Sequence, residues 1–432
     1  MVAGNVASMT LGIEIRRLLE NEMGEAGVLI YKKQCWDLGL NPERIGLNDV
    51  QLIARGVSRA TSPILGQDRS KALEKRIIRF KIIQELKELS KELDPVSKAR
   101  KGVNLALSLG DICRTLKEYD DAKKYYRQAA RDANTASLPV MEARAYRGTA
   151  HVHREQSELE DAKRWFKKAA DLSKTIGDNI GMIDAWRGMG KVYWSLGKFN
   201  DAYDVYKDAL DLAEKLKDNE LLGIMLIDIG NVYNERGELD DAENHYLRAI
   251  PLLEEKKNYE ELSRAYNNIG DLMLQRKEWK KSIDYFQKSK EEGERILSDK
   301  MTGWAIFNMA EAQMNLGDVE KAHENITKAL ALLRVVDDKR GIFAALKILG
   351  EVYAKKKDWE KADEAFAESL EYAKKTHSPQ EVARAYLFWA SSKLAQGKKN
   401  NAREYLQSAE KLLGDVAVPE LNEKMRDIKE KL

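Results

Sequence analysis

Small and large apolar residues recur along most of the chain with a period of forty residues. From about residue 102, one column of this pattern holds only glycine or alanine: Gly110, Ala150, Gly190, Gly230, Gly270, Ala310, Gly350 and Ala390. Two later columns, which begin at Ala122 and Ala129, hold only alanine or serine. Between them every repeat carries a large side chain: Tyr126, Phe166, Tyr206, Tyr246, Phe286, Ile326, Phe366 and Leu406. Eight repeats follow one another without an insertion, which predicts an array of equivalent structural units.

Each repeat is predicted to be a pair of helices. In the third repeat, apolar residues recur at helical spacing over residues 182–195, Gly197 supplies the turn, and a second helix covers about residues 200–216. Equivalent turns carry Gly237, Gly317 and Gly397. Residues whose side-chain oxygens can cap the next helix recur at the same spacing: Asp178, Asp218, Asn258, Ser298, Asp338 and Ser378. One hairpin buries too little apolar surface to be stable alone, so the hairpins must stack.

The two ends of the chain do not follow the columns. Residues 1–95 are divided by Gly24, the Asn41–Pro42 pair, Pro63 and Gly66 into four predicted helices, which we interpret as a small helical domain docked on the first repeat. Residues 96–415 hold the eight repeats. Residues 416–432 are predicted to be a capping helix that covers the surface around Tyr386 and Trp389 with one apolar stripe: Val418, Leu421, Met425, Ile428 and Leu432.

The repeat columns resemble those of the tetratricopeptide repeat. The residues that carry the resemblance follow that family's signature in order: Trp186, Met189, Gly190, Tyr193, Ala202, Tyr206 and Ala209. A unit of forty residues is similar to the long-repeat subgroup that includes kinesin light chain and the mitotic-spindle polarity adaptors. The resemblance implies an all-α, right-handed superhelical solenoid in which the first helices line a concave groove for peptides.

Overall composition adds little about partners. The chain has 73 basic and 71 acidic residues and a formal charge of +2, so no global field favours nucleic acid or an anionic membrane. Two cysteines exclude a disulfide framework and any zinc site with several cysteines, and they are typical of a reducing cytoplasm. Without an apolar leader or a run of 18 apolar residues, the protein is expected to be soluble and cytoplasmic.

Three features that suggest chemistry have structural explanations. The GMGK segment at residues 188–191 lacks the earlier glycine and the following Ser or Thr of a phosphate-binding loop, since Ala185 and Val192 stand there. His151 and His153 lie two residues apart on a helix, so they point to different faces and cannot bind one metal ion together; His153 and Cys113 share a packed column. No catalytic residue, metal site or cofactor is therefore predicted, and the protein is not expected to be an enzyme.

The residues that the family resemblance places on the inner face fall into two groups. In repeats one to three, Asp111, Glu155 and Asp184 stand against a larger set of cations: Arg114, Arg147, Arg154, Arg187 and Lys191. Repeats four to six carry asparagines that can pair with the C=O and N–H groups of an extended peptide: Asn231, Asn234, Asn267, Asn268, Asn308 and Asn315. Trp304, Phe307 and Met314 are expected to add apolar surface beside them.

The sequence gives less support to two other kinds of binding site, a carboxylate clamp and a DNA-contacting helix. A carboxylate clamp of the chaperone-binding subtype would need three cations where this chain has Ile227, Trp304 and Asn308, so we reject it. Basic residues on the last predicted helix of the N-terminal domain, Arg76, Arg79 and Lys81, could contact DNA phosphates, but we interpret them as a solvated face.

The leading hypothesis is a scaffold that binds an extended, partly acidic segment of another protein in the concave groove. The alternative is a peptide- or ligand-responsive regulator whose N-terminal helical domain contacts DNA or another effector. Self-association through the N-terminal domain is possible on either hypothesis. Neither nucleic acid nor a membrane is expected as the main partner.

Overall fold

The protein is all-helical in the computed structural model, which describes residues 2–43, 45–89, 94–375, 378–414 and 419–432. Four helices come first: α1 (Val2–Met23), α2 (Glu25–Asp37), α3 (Val50–Leu65) and α4 (Gln67–Glu88). Across the described ranges there are 21 helices and no strand. The predicted all-α repeat architecture is confirmed.

Eight helical hairpins follow α4, one for each predicted repeat. Their first helices are α5 (Pro95–Thr115), α7 (Pro139–Glu155), α9 (Asn179–Ser195), α11 (Asn219–Glu235), α13 (Tyr259–Gln275), α15 (Asp299–Leu316), α17 (Lys339–Lys355) and α19 (Pro379–Ala395). Their second helices are α6 (Tyr119–Thr135), α8 (Leu159–Ile176), α10 (Phe199–Leu216), α12 (Leu239–Lys256), α14 (Trp279–Arg295), α16 (Val319–Val335), α18 (Trp359–Lys375) and α20 (Lys399–Leu413). The last helix is α21 (Pro419–Lys431).

The backbone forms two compact units, residues 1–257 and 258–432. In the N-terminal unit, α5 to α12 make four hairpins, and each hairpin packs on the next in sequence order. In the C-terminal unit, α13 to α20 make four more hairpins that stack in the same way, and α21 packs against α19. The boundaries expected at residues 95 and 415 remain predictions, and residues 415–418 lie outside the described ranges.

Helix α4 joins the N-terminal helices to the first hairpin. Helices α1 to α4 share an apolar core that includes Ile15, Tyr31 and Ile53, all at most 1% exposed. From the opposite side of α4, Arg79 forms ion pairs with Glu118 and with Asp121 of α6, the latter at 3.0 Å. The expected docking on the first repeat is therefore confirmed.

The interpretation of the basic residues on α4 as a solvated face is wrong for Arg79. Its side chain is only 20% exposed, because it lies against the first hairpin and pairs with two carboxylates there. Arg76 forms an ion pair with Glu22 of α1, and Lys81 lies 3.8 Å from Glu85. Arg76 and Arg79 therefore link α4 to other helices of the N-terminal unit, whereas the Lys81 pair lies within α4.

The helix ends follow the sequence signals. Each of the six predicted capping residues accepts a hydrogen bond from a backbone N–H of the helix it precedes. The turn glycines have left-handed backbone, with φ of 70° at Gly197 and 88° at Gly317. Equivalent turns without glycine adopt the same conformation, as at Lys117 and Lys277, both with φ of 61°. The turn geometry is thus imposed by hairpin packing even where the residue type disfavours it.

The large column fills the space between the two helices of each hairpin. All eight of its members are at most 4% exposed, and six of them are aromatic. Each aromatic ring lies against the Gly/Ala column of its own first helix. A Cβ atom built on Gly190 would lie only 2.3–2.7 Å from ring atoms of Tyr206, so only glycine fits there without a shift.

Gly190→Ala is therefore expected to lower the free energy of unfolding by about 1–3 kcal/mol, the usual effect of overpacking a core. Alanine at an unconstrained helix position acts in the opposite direction, because it favours the helix by up to ~1 kcal/mol over glycine. Gly102→Ala in α5 is the matched control, since the nearest atom to a new Cβ there is 3.9 Å away. Urea denaturation of both variants tests this; a stabilised Gly190→Ala protein would contradict the packing argument.

The C-terminal helix covers the last hairpin as expected. Leu421 and Ile428 are 0% and 1% exposed in a cluster with Leu387 and Leu406, and Met425 and Leu432 pack at its edge. Tyr386 belongs to the same cluster, whereas Trp389 stacks on Tyr405 at a ring-centroid distance of 4.5 Å. Val418, the first member of the predicted stripe, lies outside the described residues.

Candidate functional site

A cationic cleft lies in the N-terminal unit on the face formed by α5, α7 and α9. Its volume is about 280 Å³. Helix α7 contributes one face at helical spacing, and α9 contributes the same four positions forty residues later: Arg144, Arg147, Gly148, His151, Asp184, Arg187, Gly188 and Lys191. Asp111 and Arg114 of α5 and Tyr126 of α6 complete the lining. The structure thus brings together Arg147, Arg187 and Lys191, three cations expected on the inner face.

Two glycines keep the floor of this cleft open. A Cβ atom on Gly148 would lie 2.4 Å from the ring of Tyr126, and one on Gly188 would lie 2.2 Å from the ring of Phe166. The hydroxyl of Tyr126 donates a hydrogen bond of 2.6 Å to Asp111, and His151 forms a T-shaped pair with the Phe166 ring, with centroids 5.0 Å apart. The buried rings of Tyr126 and Phe166 therefore contact the Asp111 carboxylate and the His151 imidazole, respectively.

Most of the arginines in the cleft already form ion pairs that link successive hairpins. Arg144 pairs with Asp111 at 2.8 Å, and Arg114 pairs with Glu155 at 2.6 Å. The Nε of Arg187 lies 2.6 Å from a carboxylate oxygen of Asp228 on α11, which is 2% exposed. These pairs orient the guanidinium groups, and they also neutralise part of the positive charge.

Arg147 is less well neutralised than its neighbours. Its side chain is 14% exposed, its carboxylate neighbour Asp178 is 3.9 Å away, and its hydrogen bond to the Gly181 carbonyl is long at 3.4 Å. Burial lowers the pKa of this guanidinium from its usual range. On the same helix, the buried Nε of Arg154 finds no acceptor among the described residues. An anion that enters the cleft would improve the pairing of Arg147, which lines it, whereas Arg154 is not among the lining residues.

The pKa of His151 is lowered by its burial and by the positive charges around the cleft. Burial, followed by the charges of Arg154, Arg114, Lys191 and Arg147, lowers its pKa to about 3. The imidazole is therefore neutral at pH 7. A neutral histidine beside several cations can accept a proton once an anion lowers the potential around it.

Two residues of this region were missed by sequence reasoning about binding. His151 had been considered only as a metal ligand, although it occupies the same column as Asp111 and Lys191. Trp194, four residues after the small column, matches Arg114 and Arg154 in position and is 43% exposed. Both residues could have been found from the repeat register, because residues forty apart occupy equivalent positions on the first helices.

The expected asparagines are mostly engaged in hydrogen bonds within the protein. Asn231 accepts a 2.7 Å hydrogen bond from Tyr246 in the N-terminal unit, where Asn234 also has interactions. In the C-terminal unit, Asn308 donates to Asn267 at 2.8 Å and Asn267 donates to Asp271 at 3.2 Å. Asn268 is also engaged, and Asn315 is exposed. The use of these amides for a peptide remains a prediction.

The expectation that Phe307 and Met314 present apolar surface is wrong. They are 6% and 8% exposed, because both belong to a core cluster with Ile306, Ala310 and Leu346. Trp304 is only partly buried, lies edge-on to Phe307, and donates a hydrogen bond of 3.1 Å to Asp338. Of the three residues, only Trp304 offers apolar area at the surface.

Two clusters of metal-ligand residue types already hold a cation from the protein. Ligand atoms of Cys113, Glu118 and Asp121 lie within 4.8 Å of one another, as do those of His153, Glu158 and Asp161. Arg79 pairs with both carboxylates of the first cluster, and Lys123 pairs with Glu158 of the second at 3.0 Å. Burial also raises the pKa of the Cys113 thiol to about 11. Cys113 and His153 are both buried, as their shared column predicted.

None of the described helices combines the length and the apolar character required to cross a bilayer.

Three family models match the chain, and together they span most of the hairpins. The MalT-like TPR region matches residues 255–426, and two tetratricopeptide repeat models match residues 181–255 and 105–175. No curated protein sequence matches the chain. The subgroup that includes kinesin light chain remains a prediction.

Solved structures share the fold at low sequence identity. A signal transduction ATPase with numerous domains and a tetratricopeptide repeat sensor, from Pyrococcus horikoshii, is 14% identical with a TM-score of 0.58, over 96% of this chain and 74% of that one. The apo quorum sensor NprR from B. thuringiensis is 16% identical with a TM-score of 0.57, over 83% of this chain and all of that one. The Rap conjugation gene regulator of plasmid pLS20, solved with the Phr* peptide, is 14% identical with a TM-score of 0.52, over 86% and 98%.

The family matches cover the same hairpins whose columns, caps and turns were described above. This chain belongs to the tetratricopeptide-repeat proteins.

Proposed function

We propose that the protein is a non-catalytic binding scaffold that captures an extended acidic segment of a partner protein along α5, α7 and α9. The observation that carries this proposal is the cationic cleft, in which Arg147 is largely buried and its ion-pair partner Asp178 is 3.9 Å away. An acidic side chain in the cleft would pair with Arg147. Lys191 of α9 also lines the cleft and adds a second positive charge.

Ion pairs alone give too little affinity for a specific complex. Hydrogen bonds to charged groups contribute about 1.5–3 kcal/mol each, whereas micromolar affinity requires roughly 8 kcal/mol. Trp194 lies one turn beyond Lys191 on α9 and is 43% exposed, so it offers an apolar anchor close to the cleft. The favoured segment therefore combines acidic side chains with at least one large apolar residue.

The asparagines are proposed to bind peptide backbone in each unit separately. In the C-terminal unit, Asn267 and Asn268 would exchange their present hydrogen bonds for bonds to the peptide, whereas Asn308 is only 8% exposed and is not available to a ligand. Because such an exchange replaces one hydrogen bond by another, each asparagine would add specificity for an extended backbone and little net affinity.

Selection from a displayed library of random linear peptides tests the function. We expect the full chain to enrich peptides with Asp or Glu near an aromatic or aliphatic residue. Combined Arg147→Gln and Lys191→Gln substitutions should weaken the selected peptides at least about tenfold, because two charge-assisted contacts are lost. Arg164→Gln is the matched control, since this arginine lies 76% exposed on α8. Enrichment without acidic residues, or equal affinity in the double variant, would contradict the proposal.

A peptide-responsive regulator is the second candidate function. The likeness in fold to NprR and to a Rap regulator solved with a Phr* peptide supports it. In that case a bound peptide should change hydrogen exchange in α1 to α4 as well as in α5 to α9. A pure scaffold would show protection confined to the hairpins that contact the peptide.

A further inference from the structure

A second pocket of the N-terminal unit lies on the opposite face of α7 from the cationic cleft. Its volume is about 590 Å³, and side chains of α6, α7 and α8 line it. Helix α7 contributes Glu142, Tyr146 and Thr149 to this pocket, whereas its positions 144, 147, 148 and 151 line the cleft. Because successive residues are rotated by about 100° around a helix, these two sets project from opposite sides of α7. A ligand in this pocket would not compete with a peptide in the cleft.

Three cations line this pocket, which we call the α6–α8 pocket. Arg127 and Arg131 lie one turn apart on α6, and Lys168 comes from α8. None of the three forms an ion pair within the described ranges, and all three side chains are exposed. Like charges four residues apart on a helix repel each other, so an anion beside Arg127 and Arg131 would relieve that repulsion.

The one carboxylate in the lining does not neutralise these cations. Glu142 is 9% exposed, and its carboxylate accepts hydrogen bonds from two neutral donors. These donors are the Tyr146 hydroxyl and, at 3.2 Å, the amide of Asn134. The arginines and Lys168 therefore keep their charge available, and charge complementarity favours an anionic ligand.

Two aromatic rings line the same pocket. The ring centroids of Tyr146 and Trp165 lie 5.5 Å apart, with an interplanar angle of 36°. The Nζ of Lys168 lies 4.1 Å from the centroid of the Tyr146 ring and 5.3 Å from that of the Trp165 ring. Trp165 is only partly buried, so part of its ring is open to a ligand. A planar aromatic group would gain ring contacts with Trp165 and cation–π attraction from Lys168.

The combination of rings and cations is confined to one junction between hairpins. Forty residues later, Asp171 stands at the position of Arg131, Asp208 stands at the position of Lys168, and a valine stands at the position of the tryptophan. An extended acidic chain that continued along the second helices would meet these two carboxylates. The charges therefore favour a compact ligand over an extended one, and the volume lies in the range usual for small-molecule sites.

We propose that the α6–α8 pocket binds a small aromatic acid, whose ring contacts Trp165 and Lys168 and whose carboxylate pairs with Arg127 and Arg131. Residues four apart on a helix have Cβ atoms about 5–6 Å apart, so the long side chains of both arginines can reach one carboxylate. This small-molecule site goes beyond the proposed capture of a peptide and does not depend on it.

Fluorine NMR of the full chain tests the class of ligand. All eight tryptophans are labelled as 5-fluorotryptophan, and the Trp165 signal is assigned by its loss in Trp165→Phe. We expect 2-naphthoate to shift the Trp165 signal with half-saturation at about 1 mM or below, an affinity usual for a ligand of this size. The uncharged analogue 2-naphthamide has the same shape and should need at least tenfold higher concentrations. The absence of a saturable shift with 2-naphthoate, or an equal response to the amide, would overturn the proposal.

Decanoate tests the requirement for a ring. It carries the same carboxylate on an aliphatic chain, so it keeps the pairing with the arginines and loses the ring contacts. Half-saturation should therefore require a higher concentration of decanoate than of 2-naphthoate. An equal or stronger response to decanoate would overturn the assignment to aromatic acids.

Matched variants locate the bound acid. Combined Arg127→Gln and Arg131→Gln substitutions should raise the concentration for half-saturation at least about tenfold, because two charge-assisted contacts are lost. Lys207→Gln is the control, since this exposed lysine occupies the position of Arg127 on α10. The double variant of the cleft, Arg147→Gln with Lys191→Gln, should also respond like the unchanged protein. Circular dichroism checks that each variant retains its helices. An unchanged response in the Arg127 and Arg131 double variant, or a lost response in the cleft variant, would place the acid elsewhere and overturn the proposal.

Discussion

Truncating Phe286 to alanine is expected to lower the free energy of unfolding of the C-terminal unit by about 3–5 kcal/mol. The side chain is fully buried, and it packs with Met309 and Ala312 of the next hairpin. A Cβ atom on Gly270 would lie 2.5 Å from its ring, so the ring also closes the gap between α13 and α14. Loss of the ring removes contacts within one hairpin and between two hairpins at once.

Urea denaturation followed by hydrogen exchange measures this loss and locates it. Stacked repeats need not unfold in one step, so the change should be largest in amides of α13 to α16. Phe286→Leu is the control, because it keeps most of the buried volume and should cost less than about 1.5 kcal/mol. A loss below about 1 kcal/mol for Phe286→Ala would show that the column is not needed for stacking.

Asp271→Asn is expected to make the protein more stable at pH 8, on the order of 2–4 kcal/mol. Burial, with a smaller contribution from the negative charge of Glu311, raises the pKa of Asp271 to about 7 in the folded protein, against 3.8 as the ordinary value. The folded state therefore holds this proton between about pH 4 and pH 7, while the unfolded state has released it. Stability must fall as pH rises through this interval and level off above it.

The amide of asparagine removes that dependence, because it does not ionise and keeps the shape of the side chain. Stability of the variant and of the unchanged protein should converge near pH 4 and separate toward pH 8. Asp284→Asn, at an exposed position on α14, is the control and should leave the pH profile unaltered. Parallel profiles for Asp271→Asn and the unchanged protein would contradict the assignment.

The hairpins were predictable from sequence because each one repeats the same physical requirements. A glycine or alanine faces a large side chain, a polar residue caps the next helix, and both recur every forty residues. The left-handed turns at Lys117 and Lys277 were less predictable, because lysine disfavours that backbone conformation. The separation of two compact units at residue 257 has no signal of this kind, because the columns continue unchanged from Lys257 to Asn258.

The candidate site was predictable only in part. Column positions correctly placed Arg147, Arg187 and Lys191 on one surface, but they could not show which arginines have close carboxylate partners. The same reasoning failed for Phe307, because a large apolar side chain in a groove position packs into neighbouring residues and becomes buried. The charged residues of the same column are also largely buried, with Arg147 14% and Arg187 21% exposed, but both line the cleft. Residue type therefore decides whether an inner-face position is available to a ligand.

The forty-residue register also affects how such a protein can diversify. The walls of the cleft are formed by equivalent positions on α7 and α9, the first helices of consecutive hairpins. Position 144 corresponds to 184, 147 to 187 and 151 to 191. Recombination between two repeats at matching positions would delete or duplicate one hairpin and leave every helix intact. The new neighbours would then form a cleft of different charge, so ligand preference could change in a single genetic step.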